Sequence, residues 1–313
     1  MISSLDLARL SGCSQGTVDR ALHDRPGISG KTKQHILALA AKHGYRPHPA
    51  ARELLTGDRR TVGAIIPAIN SVFFMDLMNS IREALGGYRF VITQVADTEQ
   101  FLDTLEEFAS LRVRMVIAVP PESAIAISPE LAKELNLVSI VNPCVGRGVT
   151  NLIPDEIETG RLATRYLLAK GHARIVHVRP LRDSVAIHDR ARGYETTMAE
   201  HGLPAVVVNN ETADGLLVQL KSANATAVLC HNDWLALSVM RSLNSVGLRV
   251  PEDVSVMGVD DSPTFTALFP ELTTMHYPAE SVAQAVRQCI EGKRNLTIAN
   301  ATVVERTTVR SIQ

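Results

Sequence analysis

Long apolar runs are absent from the sequence, and cysteine is rare. No stretch of about eighteen apolar residues occurs in the 313-residue chain, so we expect no helix that spans a membrane. Residues 1–6 lack the basic and apolar segments of an export signal, which favours a cytoplasmic location. The four cysteines are far apart and form no C-x-x-C pair, which predicts reduced thiols rather than disulfides.

The motifs that mark common enzymes are also missing. No G-x-G-x-x-G segment follows the first apolar run, so the sequence offers no phosphate cradle for a dinucleotide. Gly146 and Gly148 lie after a later run, but the third glycine is missing. The ten histidines show no metal-ligand spacing, and no nucleophile elbow is present. We therefore expect a protein that is not an enzyme and holds no cofactor or metal ion.

Charge is distributed unevenly along the chain. The formal net charge is only −1, yet residues 1–60 carry ten Lys and Arg against five Asp and Glu. The remaining residues carry 22 basic and 28 acidic side chains. A basic head on an acidic body is typical of a protein that meets phosphates at one end.

The amino-terminal residues predict two short helices joined by a tight turn. Gly12 can take the left-handed conformation that such a turn needs, and Ser14 can cap a second helix over residues 15–22. Ala8, Gly12 and Val18 occupy the positions where the helices of a helix-turn-helix cross, turn and interlock. An ordinary helical hairpin would fit these positions equally well.

Two further helices are expected before residue 60. Ser29 can cap a third helix over residues 30–43, which Gly44 ends. Residues 50–57 favour a short helix, but eight residues are marginal in water, so this segment needs a partner to become ordered.

From residue 61 onward, short apolar runs alternate with helix-length segments. Apolar runs without polar alternation favour parallel sheets that helices cover on both faces. The runs lie at 62–66, 90–92, 115–119, 138–141, 175–178, 206–208, 227–229 and 254–257. Two series of such units predict two similar lobes, with a helix over 279–292 returning to the first lobe and a strand near 301–305 returning to the second.

The sequence resembles the lactose-repressor (LacI/GalR) family over nearly its whole length. The similar segments are 5–14, 17–22, 28–32, 44–47 and 51–54 in the head, and 171–175, 190–194, 232–233, 250–256, 258–261 and 270–274 in the body. The resemblance implies a mixed α/β protein: a three-helix head with a helix-turn-helix, a hinge helix, and a two-lobed domain like a periplasmic binding protein, with two parallel sheets. The implied domains are a head (1–48), a hinge and linker (49–60) and an effector-binding and dimerisation domain (61–313), with lobe 1 at 61–153 plus 277–292 and lobe 2 at 154–274 plus 301–310.

The resemblance also implies a function and an interface. The protein is expected to be a transcriptional repressor that binds a palindromic operator in double-stranded DNA as a homodimer. Helix 15–22 would enter the major groove, and helix 50–57 would fold against the minor groove, where Leu54 would part a base step. The implied DNA-binding residues are Ser14, Gln15, Gly16, Thr17, Arg20, Ser29, Thr32, Tyr45, Ala51 and Leu54.

Three residues depart from the family pattern and put the operator sequence in doubt. Asp19 stands where the family usually has serine; it could pair with Arg20 or Arg9, or accept from a cytosine amino group. Gly16 offers no side chain to read a base, and His48 replaces the usual asparagine.

A small-molecule site is expected between the lobes, because ligands of parallel sheets meet the loops at the carboxyl ends of the strands. The candidate effector-binding residues are Ser71, Phe73, Phe74, Asn142, Asp155, Arg190, Asn232 and Asp260. These residues suit a sugar, because they offer paired donors and acceptors and an aromatic face. The forked guanidinium of Arg190 is expected opposite the carboxylate of Asp260. An anionic effector, a sugar phosphate or sugar acid, is also open, because four arginines crowd one region: Arg179, Arg182, Arg190 and Arg192.

Structural roles compete with binding at several of these positions. Arg190 and Asp260 could form a structural ion pair, and Asn232 could cap the helix that it begins. Asp155 could be a first-turn acid, one of the two phenylalanines could belong to the core, and Trp234 is expected at a lobe or subunit surface. The rival functions are an enzyme and a sugar-binding module that does not bind DNA; the basic head and the missing export signal argue against the latter.

Overall fold

The structure is a computed structural model that describes residues 2–45, 59–68, 72–181, 184–209, 213–293 and 296–312. The chain divides into two compact units, Met1–Arg59 and Arg60–Gln313. The predicted hinge helix, with Ala51 and Leu54, lies outside the described residues, as does Ser71. Within the described ranges, no helix has the length and apolar character needed to cross a membrane.

Three helices form the first unit, and a serine caps each of them. They are α1 (Ser4–Ser11), α2 (Gln15–Leu22) and α3 (Gly30–Lys42). Ser3 and Asp6 form a reciprocal capping box at α1, and Gly12 ends this helix with a φ of 65°, as a left-handed C-cap requires. The helices enclose a small apolar core of Leu7, Ala8, Val18, Ala21, Ile36 and Ala40.

The first lobe of the second unit is built on a five-stranded parallel sheet. Its elements are β1 (Thr61–Pro67), α4 (Val72–Ala84), β2 (Arg89–Val95), α5 (Thr98–Ser110), β3 (Met115–Ala118), β4 (Ile125–Ala126), α6 (Pro129–Glu134), β5 (Leu137–Ile140), β6 (Cys144–Val145) and β7 (Thr150–Leu152). The strand order is β2-β1-β3-β5-β7, with β4 and β6 paired separately. Apolar clusters cover both faces of the sheet, which explains why its strands read as continuous apolar runs.

The second lobe repeats this plan around a four-stranded parallel sheet. Its elements are α7 (Glu156–Ala169), β8 (Ile175–Arg179), α8 (Val185–Glu200), β9 (Val206–Asn209), α9 (Ala213–Ser222), β10 (Ala227–Cys230), α10 (Asp233–Ser245), β11 (Ser255–Met257) and α11 (Pro263–Leu268). The strand order is β11-β10-β8-β9. The predicted fold class is confirmed: a three-helix head is followed in the chain by two lobes, each with a parallel sheet.

The carboxyl-terminal segment returns to both lobes. After β12 (Thr274–His276), helix α12 (Ala279–Ile290) packs on α4 and joins the core of the first lobe. Strand β13 (Thr302–Val304) then pairs antiparallel with β12, and Ala301 and Val309 join the core of the second lobe. The chain therefore crosses between the lobes three times.

Helices α7 and α8 cross at backbone contact because each presents a glycine to the other. A Cβ at Gly160 would overlap the carbonyl oxygen of Arg190, and a Cβ at Gly193 would overlap the carbonyl oxygen of Ile157. This crossing fixes the N-terminal part of α7 against the middle of α8. It thereby sets the distance between a carboxylate on α7 and a guanidinium on α8.

Candidate functional site

Helix α2 presents an exposed polar face in the first unit. Gln15, Gly16 and Arg20 are exposed, while Val18 and Ala21 of the same helix are buried in the core. Arg20 forms no ion pair among residues 2–45. A short helix with its apolar side anchored and its polar side open can enter a groove of double-stranded DNA.

The helix caps are the predicted phosphate-contacting residues. The hydroxyl groups of Ser14 and Thr17 lie 2.9 Å apart, and those of Ser29 and Thr32 lie 2.8 Å apart. Each serine also accepts a hydrogen bond from the backbone N–H of its threonine. Exposed hydroxyls at helix N-termini suit phosphate oxygens. Tyr45 is partly buried against the core of the same unit.

Asp19 has neither of the ion-pair partners that its sequence position suggests. Its carboxylate lies 3.1 Å from Nη1 of Arg25 and 2.9 Å from Nδ1 of His23. Arg9 lies instead 3.8 Å from Asp6, one turn away on its own helix. Asp19 therefore leaves Arg20 available, because the turn after α2 brings Arg25 back beside it.

A cavity of about 270 Å³ opens between the two lobes of the second unit. The carboxyl ends of β1, β3, β5, β8 and β10 reach its wall, as expected for parallel sheets. Six predicted residues line it together: Phe73, Phe74, Asn142, Arg190, Asn232 and Asp260. Glu156, His231, Trp234 and Tyr277 line it as well and were not predicted as ligand contacts.

Asp155 is the described candidate that lies outside this lining. Its carboxylate accepts a hydrogen bond from the backbone N–H of Glu158 and caps α7, so the side chain turns back onto its own helix. Glu156, the next residue, is buried and lines the cavity instead. The position at which α7 begins therefore decides that residue 156, and not residue 155, faces the cavity.

Arg190 pairs with Glu156 and not with Asp260. Its Nε and Nη2 lie 3.0 Å and 2.6 Å from Oε2 of Glu156, and both side chains are 4% exposed. Nη1 donates to the backbone carbonyl of His231 and lies 3.5 Å from Nδ1 of that residue. Burial lowers the pKa of His231 well below its ordinary value, and the Arg190 charge lowers it further, so this imidazole is neutral.

The backbone at Asp260 is strained. Asp260 has a φ of 136° and Asp261 a φ of 52°, values that side-chain-bearing residues rarely adopt. Asp260 N–H donates to the carbonyl of Met275, and its own carbonyl accepts from Tyr277 N–H, so β12 holds the strained residue in place. Burial, with the nearby Asp233 carboxylate, raises the pKa of Asp260 well above its ordinary value.

Two buried polar atoms of the lining have no partner among the described residues. They are Oδ1 of Asn142 and the hydroxyl of Tyr277. The Asn142 amide nitrogen already donates to the carbonyl of Pro120. Leaving such an atom unpaired costs about 1–3 kcal/mol, so these two atoms favour a polar ligand in the cavity.

The remaining candidates divide between structural and exposed positions. Phe73 is buried and packs edge-on against Phe74 and Tyr277 at centroid distances of 5.3 Å and 5.0 Å, while Phe74 is only partly buried. Asn232 caps α10 through Oδ1, which leaves its amide nitrogen for other partners. Trp234 is 53% exposed and belongs to the cavity lining.

Of the described arginines in the crowded region, Arg190 lines the cavity, whereas Arg179 and Arg192 do not. Arg179 donates to Oδ1 of Asn209, Arg192 is exposed, and neither belongs to the lining. Arg182 lies outside the described residues. No group of three or more His, Cys, Asp or Glu in the described ranges is arranged to hold a metal ion.

Both units match known families. Residues 5–48 match the family described as "Bacterial regulatory proteins, lacI family", and residues 164–311 match "Periplasmic binding protein-like domain". One similar protein is the HTH-type transcriptional repressor PurR of Vibrio vulnificus (strain CMCP6), 26% identical over 91% of this chain and 89% of that protein.

Solved structures share the fold over the full length. The lac repressor dimer bound to operator and the anti-inducer ONPF is similar with a TM-score of 0.80 and 21% identity, covering 99% of both chains. A LacI-type regulator from Alkaliphilus metalliredigens QYMF, complexed with D-xylulofuranose, has a TM-score of 0.68 and 24% identity over 80% of this chain and all of that one. The chain therefore combines a head that matches the lacI family of bacterial regulatory proteins with a body that matches periplasmic-binding-protein-like domains.

Proposed function

We propose that this protein is a transcriptional repressor that binds operator DNA as a homodimer. A small sugar-like effector raises or lowers its affinity for the operator. The observation that carries the proposal is the pairing of an exposed, anchored α2 with an interlobe cavity whose wall holds unpartnered polar atoms. Similarity to a PurR repressor and to the operator-bound lac repressor dimer supports it.

On the DNA side, α2 enters the major groove, where Gln15 and Arg20 read base edges. The capping hydroxyls of Ser14 and Ser29 contact phosphates and set the register without reading sequence. Because one such helix reads only a few base pairs, a two-fold dimer on a near-palindromic site supplies the missing contact area.

On the effector side, the ligand occupies the cavity between the lobes. Arg190, Asn142 and Asp260 supply polar contacts, and Phe74 supplies an apolar face. The D-xylulofuranose complex of the similar regulator supports a sugar in this place.

A gel-shift assay with the promoter beside the gene of this protein tests the proposal. We expect a complex with the stoichiometry of a dimer, competed by a palindromic fragment and altered by a compound that binds the cavity. A protein that binds sugars but gives no sequence-specific shift at any salt would instead be a sugar-binding module without DNA.

A further inference from the structure

We propose that the cavity selects an uncharged, hydroxyl-rich effector over an anionic one, and that Glu156 is the residue that sets this selectivity. The proposal rests on the effector role proposed above. An uncharged effector then takes the place of the sugar phosphate or sugar acid that the sequence, with four arginines in one region, leaves open.

The first support is the balance of charge in the cavity wall. Arg190 is the one Lys or Arg among the described lining residues, and Glu156 takes two of its N–H groups at 3.0 Å and 2.6 Å. The carbonyl of His231 takes another. A second N–H of Nη1 lies within reach of Nδ1 of His231 at 3.5 Å. A guanidinium has five N–H groups, so one stays available for a neutral acceptor, but its charge is already compensated.

The second support is the environment of Asp260 in the cavity wall, which disfavours a negative charge. The carboxyl group of Asp260 accepts no hydrogen bond from the described residues, and its pKa is raised well above normal by burial and by Asp233. Nearby Glu156 raises it further, and Arg190 does not fully offset these effects. A phosphate or carboxylate on the ligand would meet the same low-polarity surroundings beside Glu156 and Asp260.

The third support is the set of unused hydrogen-bonding groups. Oδ1 of Asn142 can only accept, the hydroxyl of Tyr277 can donate and accept, and the amide nitrogen of Asn232 can only donate. Hydroxyl groups, which both donate and accept, satisfy all three at once. An ionised phosphate or carboxylate group, which only accepts, could not pair with the Asn142 oxygen. Trp234 and Phe74 offer apolar surface to the C–H groups of such a ligand.

Trp234 allows a direct test, because it is the single tryptophan of the chain and lies in the cavity lining. Its fluorescence is titrated in the full-length protein with matched probes: glucose and glucuronate, ribose and ribose 5-phosphate, and inorganic phosphate at constant ionic strength. The variants are Glu156→Gln and Glu156→Asn, with Glu158→Gln as the control, since Glu158 lies in the same first turn of α7 but outside the cavity lining.

We expect the wild type and Glu158→Gln to saturate with an uncharged sugar at least tenfold more tightly than with its anionic counterpart. Either Glu156 variant should gain a saturable response to an anion, inorganic phosphate included, because Arg190 is then uncompensated. The proposal is overturned by a wild type that binds an anion as tightly as its neutral counterpart, or by folded Glu156 variants that gain no anion response. Loss of operator binding in a gel shift would refute the proposed repressor role without changing these titrations.

Discussion

At the scale of single residues, the buried Arg190–Glu156 pair supports the structure and is proposed above to contact the effector. Both side chains are buried, and removing one partner leaves the other charge uncompensated. We predict that Arg190→Ala lowers the free energy of unfolding by about 3–5 kcal/mol. The double variant Glu156→Leu/Arg190→Met should recover most of this loss, because an apolar pair of similar volume needs no compensation.

Urea denaturation of the single and double variants measures this prediction, with effector binding followed in parallel. Neither variant should respond to effector, since both lack the guanidinium. An Arg190→Ala protein as stable as the wild type would show that the pair is not buried in solution.

Arg20 is the second residue for which the structure supports a specific expectation. It is exposed and has no ion-pair partner within residues 2–45, so its guanidinium is open to bind guanine in a bidentate manner. We predict that Arg20→Ala costs about 1–3 kcal/mol at one base pair of the operator and relaxes discrimination there. Arg25→Ala is the matched control, because Arg25 is paired with Asp19. Equal losses on operator and random DNA would make Arg20 a phosphate contact.

The sequence predicts residues at strand ends better than residues at helix starts. Asn142 and Asn232 could be placed at the cavity because each follows an apolar run, and such runs end at the same edge of a parallel sheet. Glu156 was missed because a shift of one residue in the start of α7 decides whether a carboxylate caps the helix or faces the cavity. The capping preference of Asp155 was the signal that could have separated the two.

At the scale of helices and strands, the close crossing of α7 and α8 depends on glycine. A Cβ at Gly193 would overlap the backbone of Ile157, which cannot move as a flexible side chain could. We predict that Gly193→Ala lowers the free energy of unfolding by about 1–3 kcal/mol and weakens effector binding, because separating the helices displaces Arg190 from Glu156. Thermal unfolding and a sugar titration measure the two effects.

Gly16→Ala is the control for that substitution. Gly16 lies in α2 with an ordinary φ, and a Cβ there would meet only the Ser14 hydroxyl at 3.9 Å. The same change should therefore stabilise its helix, by up to about 1 kcal/mol. If both alanine variants had the same effect, backbone contact at the crossing would not be the cause.

Caps and apolar periods are local signals, so the three head helices and the sheet strands could be read from the sequence. The α7–α8 crossing could not, because Gly160 and Gly193 lie far apart in the chain and each looks like an isolated helix-weakening residue. The partner of Arg190 depends on that crossing. Local sequence patterns therefore could not predict the partner of Arg190.

At the scale of the whole second unit, polar contacts join the lobes on either side of the cavity. The carboxylate of Asp76 on α4 accepts from Thr264 N–H at 3.0 Å and from the Thr264 hydroxyl at 2.7 Å. The hydroxyl of Ser123 accepts from Val185 N–H at 2.6 Å. These contacts stabilise the arrangement in which the lobes close around the cavity.

We predict that Asp76→Ala weakens effector binding by up to about tenfold, because each lost hydrogen bond contributes about 0.5–1.5 kcal/mol to the closed arrangement. Titration of Trp234 fluorescence measures the change. Glu83→Ala, an exposed acid on the same helix, should bind as the wild type does. Unaltered affinity in Asp76→Ala would mean that the closed arrangement does not depend on this contact.

Buried neutral histidines make the stability of the second unit depend on pH. Burial lowers the pKa of His177 to about 3 and also lowers the pKa values of His172 and His231. A lowered folded-state pKa stabilises the native state above the unfolded value near 6.5, and this stabilisation is lost as the pH falls from there toward the folded value. His276 acts in the opposite direction, because hydrogen bonding to Asp261 raises its pKa.

We therefore predict that the free energy of unfolding falls as the pH is lowered from 6.5 to 5, with His177 contributing up to about 1.4 kcal/mol per pH unit. His177→Gln should remove this contribution from the slope. Urea denaturation at several pH values measures the slopes. Identical slopes in His177→Gln and the wild type would contradict the prediction.

The return of α12 to the first lobe has a consequence for biosynthesis. The core beside α4 includes Val282, Val286 and Ile290, so this face of the first lobe stays open until residue 290 has left the ribosome. The second lobe likewise waits for β13 and Val309. During translation the three-helix head can fold early, whereas neither lobe is complete before its returning segment has emerged, and until then its unfinished core exposes apolar surface to chaperones.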